Sequence, residues 1–293
     1  MIPRELVDGF TRTINATARN AKANLQRRLE RMDLSDPDEA AKEVSRVMTA
    51  YAKTYSAQIA TLATRFYDEA RRLELGEALG ATPDAMYNAQ ATEEAARGIL
   101  YKYSDASARA SELLLRMDYE VMKAAANAVY SAGERDTNTP RFARVPSGSE
   151  TCLFCIMLAS RGFVYYNERT AGSDGHYHAN CDCRIVPSWK GNIEGYDPRA
   201  LYDRYRERSR EIAEERAEKY GTSVKYELGR EQAKLNEASK KAKERRKQER
   251  IARGEIVRRG GNRGVTGEGS RSYLKYGMTK SEWIANGRKP YTT

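Results

Sequence analysis

A chain of 293 residues, 40% apolar and 31% charged, has room for about two domains, and with 19 of its 26 aromatic residues tyrosine its core is thin and spread along helices. No run of 18 apolar residues occurs and the start, Met1-Ile-Pro-Arg-Glu, has no signal-peptide apolar region, so a soluble chain with no membrane span, first folded in a reducing cytoplasm, is expected. The net charge of +10 is uneven: residues 240–263 carry 11 Lys/Arg against three Glu, the last 30 residues add a further +3, and everything before residue 240 sums to −1.

The first 133 residues predict helix almost throughout. Residues 4–32 place Leu6, Phe10, Ile14, Leu25 and Leu29 on a sparse stripe. Ser35-Asp-Pro37-Asp-Glu39 combines a capping side chain, a first-turn proline and acids at the positive dipole end, which is a helix start. Val44, Met48, Tyr51, Tyr55, Ile59, Leu62, Phe66 and Leu73 then recur at helical spacing until Gly76, predicting one helix of about 40 residues and about 60 Å. A helix of that length pairs with neighbours in an elongated hairpin or bundle, or lies on a partner protein. Pro83 is expected to open a shorter helix. Ser104-Asp105 starts another, with Leu113, Leu114, Met117, Val121 and Val129 on one stripe, ending near Gly133.

The texture changes at Asp136-Thr-Asn-Thr-Pro140. Residues 141–145, 163–166 and 184–186 are short β-type runs, Cys155–Ser160 can form a helical segment that Gly162 ends, and glycines stand at 148, 162, 172 and 175. Asp197-Pro198 begins a polar helix that stops at Tyr220-Gly221, and a second runs from about Glu227 to Arg259 with few apolar residues. The expected fold class is mainly α with a small α+β module. An elongated helical region covers 1–139, a zinc-knuckle-like Cys/His-rich module 140–190, polar helices 191–259, and an extended basic tail 260–293.

All four cysteines (Cys152, Cys155, Cys181, Cys183) and both histidines (His176, His178) lie within one window of 32 residues. Cys152-Leu-Phe-Cys155 forms one arm, and His178-Ala-Asn-Cys181-Asp-Cys183 offers a second. That two-armed pattern suits a tetrahedral Zn²⁺, with Cys152 and Cys155 as the first pair and His178, Cys181 and Cys183 competing for the other two places. His178 with Cys181 or Cys183 is favoured, because a Cys-x-Cys pair has a short bite. His176 is the least favoured of the candidates. Two disulfides, or buried thiols, are the alternatives. A module of about 50 residues has a marginal core, and a metal cross-link compensates for that. No His-x-Glu or other catalytic spacing accompanies the cysteines, and neither a phosphate-binding glycine loop nor an activated serine occurs, so no enzyme activity is expected.

Lysines and arginines on the 240–263 segment would neutralise the phosphates of DNA without reading its sequence, or meet an acidic protein surface. Glutamates interleave with them and stacking aromatics are lacking, which argues against base-specific recognition.

The segment Val145-Pro-Ser-Gly-Ser-Glu-Thr-Cys152-Leu-Phe-Cys155-Ile-Met-Leu-Ala-Ser-Arg-Gly162-Phe-Val-Tyr, with His176-Tyr-His178-Ala-Asn-Cys181-Asp-Cys183-Arg-Ile-Val-Pro187, resembles the minor head proteins of tailed bacteriophages. It is similar to the version carried by phages of actinobacteria, which is related to the phage Mu F-like head-morphogenesis family. The resemblance implies a minor capsid protein made in the host cytoplasm and built into the virion interior near the portal. It implies the portal protein and the major capsid or scaffold proteins as partners, a few copies per virion, and contact with packaged DNA in some relatives. The family's His-x-x-Cys-x-Cys element falls on His178, Cys181 and Cys183, and the Cys-x-x-Cys arm on Cys152 and Cys155. The competing class is a zinc-stabilised nucleic-acid-binding regulator in the cytoplasm. It would need a base-reading helix beside the cysteines, where Ile156–Arg161 offers only Arg161.

Overall fold

The computed structural model describes residues 1–148, 151–166 and 183–233, together with 236, 237, 240 and 244. Met1–Gln232 form one compact unit and Ala233–Thr293 a second. The described part of the first unit is mainly helical with one two-stranded sheet.

Four helices build the body: α1 (Arg4–Leu29), α2 (Pro37–Leu75), α3 (Ala89–Lys102) and α4 (Ala106–Arg135). The start of α2 follows from its sequence. The Asp36 carboxylate accepts from the Asp38 and Glu39 amides at 2.8 and 3.3 Å, and Pro37, which lacks an N–H, occupies the first turn. Gly76, at φ +91°, ends it in the left-handed conformation that favours glycine. Asp105 caps α4 in the same way, accepting from the Ala108 amide at 2.8 Å. The stripe expected on α2 faces inward over most of its length: Val44, Met48, Ile59 and Phe66 are buried, Tyr51, Tyr55 and Leu62 half-buried, and only Leu73 is exposed.

Helix α2 packs against α1, α3 and α4, and α1 packs against α4. Small residues make close approach possible: Ala52, Ala60, Ala63 and Ala70 of α2 and Ala124, Ala125, Ala128 and Ala132 of α4 are all buried. Phe10 of α1 stacks on Phe66 of α2 with ring centroids 4.2 Å apart. Burial at this scale, at about 25 cal/mol per Å² of apolar surface, is the main stabilising term.

No helix starts at Pro83. Residues 78–88 cross the body without regular structure, and α3 begins only at Ala89, where the Asn88 side chain accepts from the Ala91 amide at 3.0 Å. The physical reason is that the backbone here finds partners on α2 and α4 instead of within a helix. Asp68 accepts from the Leu79 and Ala81 amides, both at 3.1 Å. Asn127 and Arg135 donate to the carbonyls of Ala85 (3.1 Å) and Thr82 (2.8 Å), while the Ser131 hydroxyl donates to the Asp84 carboxylate (2.9 Å).

After α4 the chain enters β1 (Arg141–Pro146), which pairs antiparallel with β2 (Cys183–Ser188), Arg141 opposite Ser188 and Pro146 opposite Cys183. Of the 163–166 run only Tyr165 pairs, in a single bridge to Phe142, so that run is not a third strand. Helix α5 (Leu153–Ala159) lies between the strands in sequence, and α6 (Pro198–Tyr220), capped by Asp197, packs on it. A helical stretch follows over 224–233. The segment read from the sequence as a small module shares its core with the helices: Phe142, Ala143, Val145, Tyr165, Ile185 and Val186 join the same buried cluster as α1, α2 and α4.

Three contacts fasten the sheet to the helices. Phe142 lies so close to α4 that a Cβ on Gly133 would stand 2.4 Å from its Cζ. The buried carboxylate of Glu74 accepts from the Ser188 hydroxyl and from the Trp189 and Lys190 amides at 2.8, 2.8 and 3.2 Å. Ile2 bridges to Ile193, its amide donating to the Asn192 carbonyl (3.1 Å) and its carbonyl accepting from the Glu194 amide (3.0 Å).

Candidate metal centre

The Cys-x-x-Cys arm sits at the start of α5. Cys152 is the N-cap, its sulfur accepting from the Cys155 amide at 3.4 Å, and Cys155 lies within the first turn. Cys183 is the first residue of β2. Its pairing with Pro146 fixes it beside the end of β1, six positions before Cys152. The ladder thus carries a residue of the second arm back to the first: Cys155 and Cys183 are buried and pack together, with half-buried Cys152 against them.

His178 and Cys181, and with them His176, lie outside the described residues. Among the described residues no group of three His, Cys, Asp or Glu side chains is placed to hold a metal ion. What the described residues provide is sulfur from both arms at one buried point. Sulfur is a donor type that zinc takes, but the described residues by themselves do not assemble a metal site.

Two arginines stand beside Cys183. Arg144, in the middle of β1, is fully buried, and its Nη1 donates to the Cys183 sulfur at 3.4 Å. Arg144 pairs with Ile185, so Cys183, two positions along β2, is its diagonal neighbour on the same face of the ladder. Arg184, also buried, donates to the Cys183 carbonyl at 3.1 Å and to the Asn15 side chain at 2.6 Å. Tyr165 completes the wall, its hydroxyl donating to the Leu158 carbonyl at 2.7 Å. Burial lifts this phenol above its usual range, while the charges of Arg161 and Arg144 oppose the rise.

Neither arginine is evident from motif spacing. The one signal is Arg-Phe-Ala-Arg-Val-Pro itself, where a strand pattern places a permanent cation at an interior position within ten residues of a cysteine. The basic segment 240–263 is not accessible in the same way, since only Lys240 and Glu244 in it are described, both helical. Among the described residues no helix is long and apolar enough to cross a membrane.

No solved structure matches the chain. The Gene 15 protein of Mycobacterium phage D29 is 28% identical to it over 185 residues. That alignment covers 50% of this chain and 66% of the relative, just under two thirds of the relative's length. A family model described as VG15 protein matches residues 1–208, which takes in α1 to α5, both strands, the cysteines and the first half of α6. This is a mainly helical bacteriophage protein, and with more than half of its length matched the chain belongs to the VG15 protein family.

Proposed function

We propose that this chain is a non-enzymatic minor head protein of a tailed bacteriophage, built into the capsid interior near the portal. The observation that carries the reading is an overlap. The residues that resemble minor head proteins, Val145 to Pro187, fall inside the 1–208 region matched by the VG15 family, and the chain is also similar to a gene product of Mycobacterium phage D29. The portal protein and the shell or scaffold proteins are the partners. The long helices α1, α2 and α4 supply a rigid body for docking, and the basic 240–293 tail lies against packaged DNA.

One structural zinc per chain belongs to this reading. Cys152 and Cys155 would supply the first two ligands, with two of His178, Cys181 and Cys183 completing the set. When bound, the ion supplies a cross-link between the two arms and no reaction chemistry. The chain's own part is to bring sulfur from both arms to one buried point, and to keep Cys183 fixed in register through the β1–β2 ladder.

Quantitative mass spectrometry of purified virions of the encoding phage tests the role. A few copies per particle, retained in heads after tails are removed, is the expected result. Absence from particles that contain portal and shell overturns it.

A further inference from the structure

We infer that the outer groove between α1 and α2 is a docking site for an acidic amphipathic helix of a second head protein, which seats an apolar side chain over Gly9 and a carboxylate on Arg12 and Arg65. The inference rests on the head-protein reading above and adds to it the surface used and the chemistry that fits it.

The two helices run antiparallel, with Phe10 stacked on Phe66 and Asn24 hydrogen-bonded to Tyr55 further along. Where the start of α1 meets the end of α2 they leave a groove of about 570 Å³. Leu6 and Phe10 of α1 and Leu62 and Phe66 of α2 line its apolar part, and Leu73 stands exposed at one end. A contiguous apolar surface of this kind gains free energy when a partner covers it.

Gly9 is the second observation. It lies inside α1, where glycine is less favourable than alanine. Internal packing does not demand it: a Cβ there would meet only Nη2 of Arg12, at 3.7 Å, the far end of a flexible side chain. Gly133 differs, because Phe142 leaves no room for a Cβ. What the missing side chain at Gly9 does is deepen the groove that it lines.

Charge then selects the occupant. Arg12 and Arg65 line the same groove and are exposed. They stand at one end of it, since Phe10 and Phe66 face each other in antiparallel helices, while exposed Glu5 stands at the other. The acids at helical spacing from the two arginines are engaged elsewhere. Asp8, four residues before Arg12, pairs with Arg4 at 2.9 Å, and Glu69, four after Arg65, pairs with Arg72 at 2.6 Å. Two guanidinium groups beside an apolar floor favour a carboxylate, which accepts from their forked N–H groups.

The groove runs along residues 3–13 of α1 and 62–73 of α2, about 18 Å, and is about 10 Å wide between packed axes. That footprint takes one helix of about three turns with apolar residues three or four apart. It is far below the roughly 800 Å² per partner through which two copies of the chain would pair stably. The chain's own basic tail has the wrong sign, with 11 Lys/Arg against three Glu over 240–263.

The test places a photo-crosslinking residue at Thr13, an exposed groove position, in the full chain supplied to the encoding phage. Cross-links in purified heads are mapped by mass spectrometry. The expected product joins Thr13 to another head protein, at a segment with large apolar residues three or four apart and an Asp or Glu within one turn of them. A synthetic peptide of that segment is then titrated against the full-length chain. Arg12→Gln and Arg65→Gln should each weaken binding about 10-fold. Gly9→Leu, which fills the groove, should weaken it at least about 10-fold and yet unfold at the same or a higher temperature, because leucine is the better helix former. Should Gly9→Leu not fold, the two exposed arginines carry the comparison.

Cross-links from Thr13 only to a second copy, to the chain's own tail or to DNA, or no cross-link in heads that contain the chain, overturn the inference and leave the head role standing. Unchanged peptide affinity in the folded variants does the same. Absence of the wild-type chain from heads removes the head-protein reading, and this inference with it.

Discussion

Replacing Asp136 by alanine should destabilise the first unit more than any change on its surface. Asp136 ends α4, and its side chain is fully buried. One oxygen accepts from the Tyr67 hydroxyl and from Arg71 Nε, both at 2.9 Å, and the other accepts from the Asn138 amide at 2.9 Å. The carboxylate thus joins α2 to the turn that leads into β1. Its removal leaves the Arg71 guanidinium, only 4% exposed, with the Glu77 carbonyl at 2.9 Å and a Glu77 carboxylate that is itself 74% exposed. Breaking a buried pair from one side costs about 3–5 kcal/mol. Asp136→Asn keeps the volume and an acceptor but not the charge, and should cost about 1.5–3 kcal/mol. For a unit of this size the alanine variant's loss corresponds to a fall in Tm of about 10 °C. Burial alone would raise the Asp136 carboxyl, but the hydrogen bonds from Arg71, Asn138 and Tyr67 outweigh it and hold the group below the ordinary range. Its contribution is therefore complete above the unfolded value of about 3.9 and is lost as pH falls through the lower folded value. Urea unfolding of both variants at neutral pH and across the acid range measures these terms. A double variant with Arg71→Met should lose less than the sum of the single losses. A cost below about 1 kcal/mol for Asp136→Ala, or strict additivity with Arg71→Met, would refute the reasoning.

Two further outcomes follow from Gly133 and from the basic tail. Gly133→Ala places a Cβ against the Phe142 ring and within 3.3 Å of Pro140 Cγ, so overpacking of about 1–3 kcal/mol should exceed the helix-propensity gain of about 1 kcal/mol. Thermal unfolding should show a net loss, and a Phe142→Leu background should remove most of the difference between glycine and alanine. The basic tail should bind DNA without sequence preference. With about six phosphates contacted, log affinity against log salt should fall with a slope of about −5 on duplex, and deletion of 240–293 should abolish binding. Equal affinity with and without the tail would assign its charge to a protein surface.

Local signals carried much of the fold. Asp36-Pro37 and Gly76 bound α2, Asp105 starts α4, and Asp197-Pro198 and Gly221 bound α6, because capping is decided by neighbouring residues. The two strands at 141–146 and 183–188 were legible from their β-branched and apolar runs. Residues 78–88 were not, since the groups that claim their backbone sit up to 53 residues away on α2 and α4. The run 163–166 has strand composition but meets a partner only at Tyr165. At the cysteines, spacing alone identified Cys152 and Cys155 as one arm. That Cys183 meets them, and that a buried arginine faces its sulfur, depends on a ladder register that no local pattern encodes.

The bridge between Ile2 and Ile193 has a consequence for the order in which the molecule is made. Its two hydrogen bonds join residue 2 to residues 192 and 194, and Glu194 also accepts from the Arg4 amide at 3.1 Å. At a synthesis rate of about 5–20 residues per second, on the order of ten to forty seconds separate the emergence of these partners. Helices α1 to α4 can assemble on one another during that interval, since their contacts lie within the first 135 residues. The segment before α1 thus waits for about 190 further residues to be made before it finds its partner, and α6 docks on α5 later still.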